Sequence, residues 1–209
     1  MIITVASFKG GVGKTTTALH LAGYLQGRGS TLLIDADYNR SASRWAERGK
    51  LPFRVVEDGS SQNVLSGFRP NHVVIDAPAR PTPEELKALA ERGDLLVLPT
   101  TPDTLSLAAL ESAMTLLAGI HGLRYRVLLT ITPPYPSQAA EKAREELEQA
   151  EISLFGRDIP RAVALQKAAD AGSLVSEVRA PRALLCWLAY CAIGNELTEI
   201  LLESWLEGG

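Results

Sequence analysis

Short apolar runs recur along the chain and alternate with longer segments in which apolar residues return every three or four positions. The runs at 31–34, 73–75 and 95–98 are almost continuously apolar, as is typical of strands buried on both faces. Strands that alternate with helices indicate βαβ units and a parallel sheet. Strands are predicted at Ile2–Ser7, Thr31–Asp35, Phe53–Glu57, His72–Asp76, Leu95–Pro99 and Arg126–Thr130, with a short strand near Ile159. Helices are predicted at Lys14–Arg28, Ala42–Arg48, Pro83–Arg92, Ser106–Ile120, Ser137–Glu151, Val163–Ala171 and Pro181–Leu206, the last with a break at Gly194-Asn195.

The segment between the first strand and the first helix is rich in glycine. It reads Lys9-Gly10-Gly11-Val12-Gly13-Lys14-Thr15, and its glycines allow backbone N–H groups to curl around an anion. Lys14 can reach the β- and γ-phosphates of a nucleotide, the Thr15 hydroxyl can bind Mg²⁺, and the start of the helix adds its dipole. These features predict a phosphate-binding P-loop that has a second lysine, Lys9, at its mouth.

Carboxylates stand at the ends of two of the predicted strands. Asp35 and Asp37 end the second strand, and Asp76 ends the fourth. Strand alternation directs Asp35 and Asp37 to the same side, and ligands of parallel sheets bind at the carboxyl ends of the strands. Close carboxylates repel each other unless a cation lies nearby. The sequence therefore predicts one composite site for ATP and Mg²⁺.

The form Lys-Gly-Gly-x-Gly-Lys-Thr, together with Asp-x-Asp and an apolar strand ending in Asp76, resembles the deviant Walker A ATPases of the ParA/MinD family. The resemblance runs from residue 1 to about residue 185. It is similar to that of small plasmid-partition ParA proteins and of carboxysome-positioning McdA-like proteins. It implies a three-layer α/β fold, the P-loop NTPase fold, with a mostly parallel twisted sheet flanked by helices. The length of 209 residues predicts one domain, 1–209.

The resemblance also implies roles for single residues. Lys14 is expected to bind the phosphates, Asp37 to position the attacking water, and Lys9 to cross a dimer interface to the ATP of the partner; these three are the expected catalytic residues. Thr15, Asp35 and Asp76 are expected to hold Mg²⁺ or its water shell. Tyr38 stands where the common form of the family has proline, which leaves the backbone after Asp37 less constrained. The segment 77–79 is expected to begin a second switch that senses the γ-phosphate.

Two later segments are candidates for the adenine pocket. Ile159-Pro160-Arg161 precedes a predicted helix and resembles a family segment that lines this pocket. Thr132-Pro133 ends the sixth strand and begins a proline-rich loop, 132–137. The residues expected to bind the nucleotide are Lys9, Gly10, Gly11, Val12, Gly13, Lys14, Thr15, Thr16, Thr132, Pro160 and Arg161.

Charge restricts the possible partners. The chain has 21 basic and 24 acidic residues, a net charge of −3, which excludes a globally basic nucleic-acid binder. After Arg182 the charged residues are all acidic, which disfavours an anionic membrane surface. No apolar run is expected to approach the roughly 20 residues that span a bilayer. Candidates for DNA phosphate contacts are Arg157, Arg161, Lys167, Arg179 and Arg182.

The leading hypothesis is an ATP hydrolase that dimerises on ATP, binds DNA without sequence specificity and positions a cargo: a plasmid, a chromosome or a protein compartment. Its expected partners are a second copy, DNA and an activator of ParB or McdB type, with no membrane; the expected location is the cytoplasm, on the nucleoid. Two alternatives stay open, a MinD-like membrane-associated regulator and a metabolic P-loop enzyme. Cys186 and Cys191, five positions apart in one predicted helix, do not offer the separated thiolates of an iron–sulfur reductase.

Overall fold

The computed structural model describes residues 1–120, 122–133 and 137–207, so residues 134–136 of the proline-rich loop lie outside the described residues. In chain order the strands are β1 Ile2–Ser7, β2 Thr31–Asp35, β3 Arg54–Glu57, β4 His72–Ala79, β5 Leu95–Thr100, β6 Tyr125–Thr132 and β7 Ile159–Pro160. The helices are α1 Lys14–Gln26, α2 Ser41–Arg48, α3 Asp58–Gly67, α4 Pro83–Arg92, α5 Thr104–Leu117, α6 Gln138–Gln149, α7 Val163–Ala171 and α8 Ala183–Glu207, with a 3₁₀ turn at Val175–Glu177.

The seven strands form one parallel sheet in the order β3-β2-β4-β1-β5-β6-β7. Every residue of β2 and of β5 is buried, because helices cover both faces of the sheet. Alternate strand residues serve two cores: Val97 packs with α1, α2, α7 and α8, and Leu98 packs with α4, α5 and α6. The predicted three-layer α/β fold is confirmed.

The sheet order brings the predicted functional segments to one edge. β1 is central, between β4 and β5, and the P-loop follows it directly. On the neighbouring strands β2 and β4, Asp35 and Asp76 are register partners. The carboxyl ends of β1, β2 and β4 therefore meet at the start of α1.

Two elements differ from the sequence predictions in this half of the chain. Helix α3 was not predicted, because its sequence has no apolar period and buries Ser61 alone. Strand β4 continues past Asp76 to Ala79, where Ala79 pairs with Ser7 beyond an irregularity in the ladder. The predicted end of this strand at Asp76 was therefore wrong by three residues, and the role of 77–79 as the start of a second switch stays a prediction.

Helix α8 is continuous, so the predicted break at Gly194-Asn195 was wrong. A Cβ at Gly194 would lie 2.4 Å from Cδ1 of Tyr24 on α1. Glycine serves close packing of the two helices here and does not end the helix. The buried side of α8 includes Tyr190, Ile193 and Leu197, which join the core shared with α1.

The sequence analysis expected no apolar run long enough to span a bilayer, and helix α8 changes this expectation. Over Ala183–Ser204 the helix has a mean hydropathy of 1.3, long and apolar enough by composition to cross a membrane. About a third of this stretch is buried against the rest of the domain. A flanking helix of a soluble core passes the same test, so the observation is weak evidence for a membrane span.

A buried histidine joins three helices of this core. His20 on α1 stacks on Tyr190 of α8, with 4.7 Å between ring centroids, and lies edge-on to Trp45 of α2. Its Nε2 accepts from the backbone N–H of Val175 at 3.0 Å, and its Nδ1 lies 2.7 Å from the carbonyl oxygen of Thr16. This arrangement requires the neutral ring with the proton on Nδ1. Burial lowers the pKa of His20 to about 4.

We expect this histidine to make the fold sensitive to acid. The pKa of His20 falls from 6.5 in the unfolded chain to about 4 in the folded one, so the unfolded state binds more protons between these values. Its contribution of about 3 kcal/mol is present above pH 6.5 and is lost as the pH falls towards 4. Urea unfolding across this range should show a shallower pH dependence in His20→Gln than in the wild type. An equal slope in both proteins would contradict the assignment, and Lys87→Gln is the surface control.

Candidate nucleotide-binding site

The P-loop lies between the end of β1 and the start of α1. Gly11 and Gly13 both have φ of +81°, a backbone conformation that side chains disfavour. Gly13 caps α1 without a side-chain hydrogen bond, and the first turn of the helix has no acidic residue. The N–H groups and the positive end of the helix dipole are therefore directed at the loop, as an anion requires.

Thr130, at the end of β6, holds the P-loop in place. Its buried Oγ1 lies 2.7 Å from the carbonyl oxygen of Val12 and 3.0 Å from that of Thr100 on β5. The single hydroxyl proton is donated to one or the other. The sequence analysis missed this residue, because Thr130 and Val12 are 118 positions apart in the chain and only the tertiary structure brings them together.

Lys14 is buried between two carboxylates. Its Nζ lies 2.9 Å from Oδ2 of Asp37 and 2.8 Å from Oδ1 of Asp76, and all three side chains are at most 7% exposed. The structure thus brings together the P-loop lysine and two of the predicted carboxylates. One ammonium group has three N–H donors, and the two carboxylates occupy two of them. Phosphates that bind Lys14 therefore compete with these ion pairs.

The two carboxylates around Lys14 differ in pKa. Burial raises the pKa of Asp76 to about 6, in spite of the Lys14 ammonium. Burial acts in the same direction on Asp37, but the backbone N–H of Asn39 and the Lys14 ammonium outweigh it and lower its pKa. Asp37 is therefore the firmly ionised member of the pair, and Asp76 gains most from a further cation.

The residues present fit a Mg²⁺ ion that is bound together with phosphates. Oδ2 of Asp76 is buried and has no hydrogen-bond partner among the described residues, and Thr15 is the second residue of α1, next to the loop. No group of three or more His, Cys, Asp or Glu within the described ranges could hold a metal by itself. Nucleotide-dependent Mg²⁺ sites have this character, with one or two protein ligands and the rest from phosphates and water.

Asp35 has different partners from those expected. Its Oδ2 accepts from both the backbone N–H and the hydroxyl of Ser43, each at 2.8 Å, and its Oδ1 accepts from the backbone N–H of Asp37 at 3.2 Å. In this structure Asp35 caps α2 and shapes the loop that carries Asp37. A role in the Mg²⁺ shell stays a prediction.

The loop after β2 is held by these hydrogen bonds in place of the proline of the family pattern. Oδ1 of Asp37 accepts from the backbone N–H of Asn39 at 2.8 Å, an Asx turn. Tyr38 itself is 83% exposed, with its hydroxyl 3.5 Å from Glu85. Its side chain is free for a contact outside the domain.

Lys9 is held within its own subunit. Its Nζ lies 2.9 Å from Oδ1 of Asp103 and 2.9 Å from Oγ of Ser106, at the start of α5. Hydrogen bonds from Thr101 and Ser106, together with Lys9, hold the pKa of Asp103 well below its usual range. The sequence analysis missed this partner, although Asp103-x-x-Ser106 has the spacing of a helix N-cap.

The predicted neighbours of adenine meet at the β7 edge of the sheet. Thr132 and Pro160 are register partners, and the backbone N–H of Arg161 donates to the carbonyl oxygen of Thr132 at 2.8 Å. Thr132, Pro133 and Pro160 line a cavity of about 690 Å³ between α6 and α8. Arg161 and the P-loop are not among the described residues that line it.

The five basic candidates for DNA contacts are all exposed. None of them takes part in an ion pair within the part of the chain that the structure describes. Arg157 and Arg182 also line the cavity beside α8. These charges are therefore available to an external anion.

Comparisons with known proteins show the family of this chain. The model of the CobQ/CobB/MinD/ParA nucleotide binding domain matches residues 3–175. The chain belongs to the ParA/MinD family. It is 35% identical over 202 residues to Maintenance of carboxysome distribution protein A from Gloeobacter kilaueensis, covering 94% of this chain and 93% of that protein.

Solved structures of the ParA/MinD family share the fold. A plasmid partition protein from Borrelia burgdorferi bound to AMPPNP superposes with a TM-score of 0.72 at 19% identity, over 97% of this chain and 98% of that one. MinD in the MinC:MinD cell division complex of Aquifex aeolicus gives 0.73 at 16% identity, over 95% and 96%. The chain is thus a P-loop protein of a nucleotide-binding family, with McdA and plasmid-partition proteins among its relatives.

Removal of the Thr130 hydroxyl should weaken nucleotide binding. Thr130→Val keeps the shape but leaves the carbonyl groups of Val12 and Thr100 without this donor, at a cost of about 1–3 kcal/mol. We expect a lower affinity for a fluorescent ATP analogue and a lower free energy of unfolding. Thr130→Ser keeps the hydroxyl and should bind nearly as the wild type. If the valine variant and the wild type bind the ATP analogue with equal affinity, the P-loop keeps its conformation without the Thr130 hydroxyl.

Proposed function

We propose that this protein is an ATPase of the ParA type, in which two copies share ATP and hydrolysis controls the positioning of a cargo. One observation carries the proposal: Lys14, Asp37 and Asp76 form a buried cluster at the P-loop, with a second lysine, Lys9, at the mouth. The first three account for binding of phosphate with Mg²⁺. Among the described residues Nζ of Lys9 bonds to Asp103 and Ser106 and not to this cluster, which supports a role on the nucleotide of another subunit.

Hydrolysis follows from the same arrangement. Lys14 leaves its two carboxylates to bind the β- and γ-phosphates, and Asp37, freed from the ammonium, orients the attacking water. Bound Mg²⁺ supplies positive charge at the phosphates, with Thr15 and Asp76 as the residues that hold it. Lys9 of the partner subunit adds positive charge where the transition state gains negative charge. The product is ADP and inorganic phosphate.

The output of the cycle is reversible attachment to DNA. The exposed side chains of Arg157, Arg161, Lys167, Arg179 and Arg182, which form no ion pair with the residues that the structure describes, support contacts to DNA phosphates. The dimer doubles this charge, so ATP-driven dimerisation strengthens binding. A partner protein of ParB or McdB type then stimulates hydrolysis and releases the protein from the nucleoid. The likeness to the Gloeobacter protein supports a protein compartment as the cargo, as the likeness to partition proteins supports a plasmid.

Changes to Lys9 and to its partner should act in opposite directions. Lys9→Ala removes the charge offered to the other subunit, so we expect retained ATP binding but no ATP-dependent dimer and no hydrolysis above background. Asp103→Asn keeps the cap of α5 but breaks a half-exposed ion pair worth roughly 0.2–1 kcal/mol. This variant should dimerise more tightly, by up to about fivefold for each lysine.

These variants are compared by light scattering with size-exclusion chromatography and by phosphate release. Lys87→Ala is a matched surface control. Dimerisation of Lys9→Ala with ATP at the wild-type level would contradict the proposed role of Lys9. A weaker dimer in Asp103→Asn would show that the ion pair supports the active conformation.

DNA binding should depend on ATP and on salt. With ATP the wild type should retain double-stranded DNA of any sequence, and raising salt from about 50 to about 200 mM should weaken binding by at least tenfold, because counterions are released. Lys14→Ala should not bind DNA under either condition. Arg179→Ala combined with Arg182→Ala should lower the affinity and reduce the salt slope. If the wild type does not bind DNA, or if salt does not weaken the binding, the proposed contacts to DNA phosphates are wrong. The protein would then attach to the surface of another protein.

A further inference from the structure

One face of α8 is apolar and open to solvent. Leu184, Leu188, Leu202 and Leu206 are between 50% and 84% exposed, while the opposite side of the helix carries the buried residues of the core. We name the face formed by these four leucines and Asn195 the outer face of α8. Asn195 is the member of this face that contacts the rest of the domain, since its Oδ1 accepts from the Tyr24 hydroxyl and from Arg28. With Leu185, which is 54% exposed beside this face, the described part of α8 has five exposed leucines, a costly arrangement unless another surface covers them.

The leucines of the outer face are placed symmetrically. Leu188 and Leu202 lie seven residues before and after Asn195 (195 − 188 = 202 − 195), and Leu184 and Leu206 lie eleven residues before and after it. Seven and eleven residues are close to two and three helical turns, so all five lie on one side. A two-fold axis through Asn195 therefore maps the outer face onto itself, as an isologous contact requires.

The charged residues differ between the two ends of α8, with basic residues just before its start and acidic residues towards its end. Arg179 and Arg182 precede the helix, and after them the charged residues are acidic, with Glu199 and Glu203 exposed beside the outer face. None of these four side chains forms an ion pair within the described residues. In the antiparallel pair Arg182 lies opposite position 208, so it approaches the acidic end of the other helix, with Glu203 five residues or about 7.5 Å further along the axis. The helix dipoles of the two copies oppose each other favourably.

We propose that the outer face of α8 binds the same face of a second copy, as an antiparallel two-fold pair without nucleotide. Leu188 then packs on Leu202 of the other copy, and Leu184 packs on Leu206. This surface lies on a helix that flanks the sheet. Leu188 borders the cavity of Thr132 and Pro160, whereas no P-loop residue is among the described residues that line that cavity. A copy therefore has two separate contact surfaces, one dependent on ATP and one not, and alternating use of the two links dimers into larger assemblies.

The acidic side chains decide between a second copy and a membrane. An amphipathic helix that binds anionic lipid has basic residues beside its apolar face, whereas Glu199 and Glu203 flank the outer face here. One helix pair is a small interface, so we expect a dissociation constant on the order of 1–100 µM.

The test measures the mass of the full chain without nucleotide and with EDTA, by analytical ultracentrifugation across this range of concentration. The wild type should pass from monomer to dimer. Leu188→Glu and Leu202→Glu should each raise the dissociation constant at least tenfold. Leu188→Lys combined with Leu202→Glu should restore the dimer, because the antiparallel register brings the two new charges together. Leu116→Glu, an exposed leucine of α5, should have no effect.

Circular dichroism and cooperative urea unfolding show that the variants are folded; nucleotide binding is not the folding control, because Leu188 lines the cavity that holds Thr132 and Pro160. A wild type that stays monomeric at about 200 µM would overturn the proposal, as would a dimer that tolerates both single glutamates or a double variant that fails to pair. Sedimentation of the monomer with vesicles of anionic phospholipid, lost in both glutamate variants, would assign the face to lipid instead. The ATP-dependent dimer through Lys9 is tested separately, so either contact can fail without the other.

Discussion

The ion pairs of Lys14 with Asp37 and Asp76 are the constraint on which the site depends. These three charged groups are each at most 7% exposed. Their burial requires the ion pairs between them, because an isolated buried charge costs a large free energy. Their meeting requires β1, β2 and β4 to be neighbours in register and the P-loop to hold its shape. The buried hydroxyl of Thr130 connects that loop to the other half of the sheet.

Both lysines of the P-loop are already paired in this conformation, but to different degrees. Lys14 is buried between carboxylates, whereas Lys9 is half-exposed on Asp103 and Ser106. In the proposed cycle phosphates would replace the ion pairs of Lys14, and the dimer would replace the weaker ion pair of Lys9. We propose from this difference that nucleotide first rearranges the interior of a subunit and that Lys9 then becomes available to the partner.

Helix α8 connects the core to the surface. Its inner side packs on α1, where Gly194 accommodates Tyr24 and Tyr190 stacks on His20. Because α1 begins at the P-loop, the packing that positions α8 also supports the start of the site. On the outer face Asn195 bonds to Tyr24 and Arg28, while the exposed leucines explain why a flanking helix has a hydropathy that would suit a membrane.

The sequence by itself determined the strands, the P-loop and the carboxylates that end β2 and β4, since apolar runs and glycine spacing are local signals. It did not predict α3, which lacks an apolar period, or the continuity of α8, since Gly194 reads as a helix breaker until Tyr24 is packed against it. The partners of Thr130, Lys9 and Asp35 were decided by tertiary structure. These are hydrogen bonds and ion pairs between residues that only the strand order and the helix packing bring within 3 Å, and no local pattern in the chain specifies them.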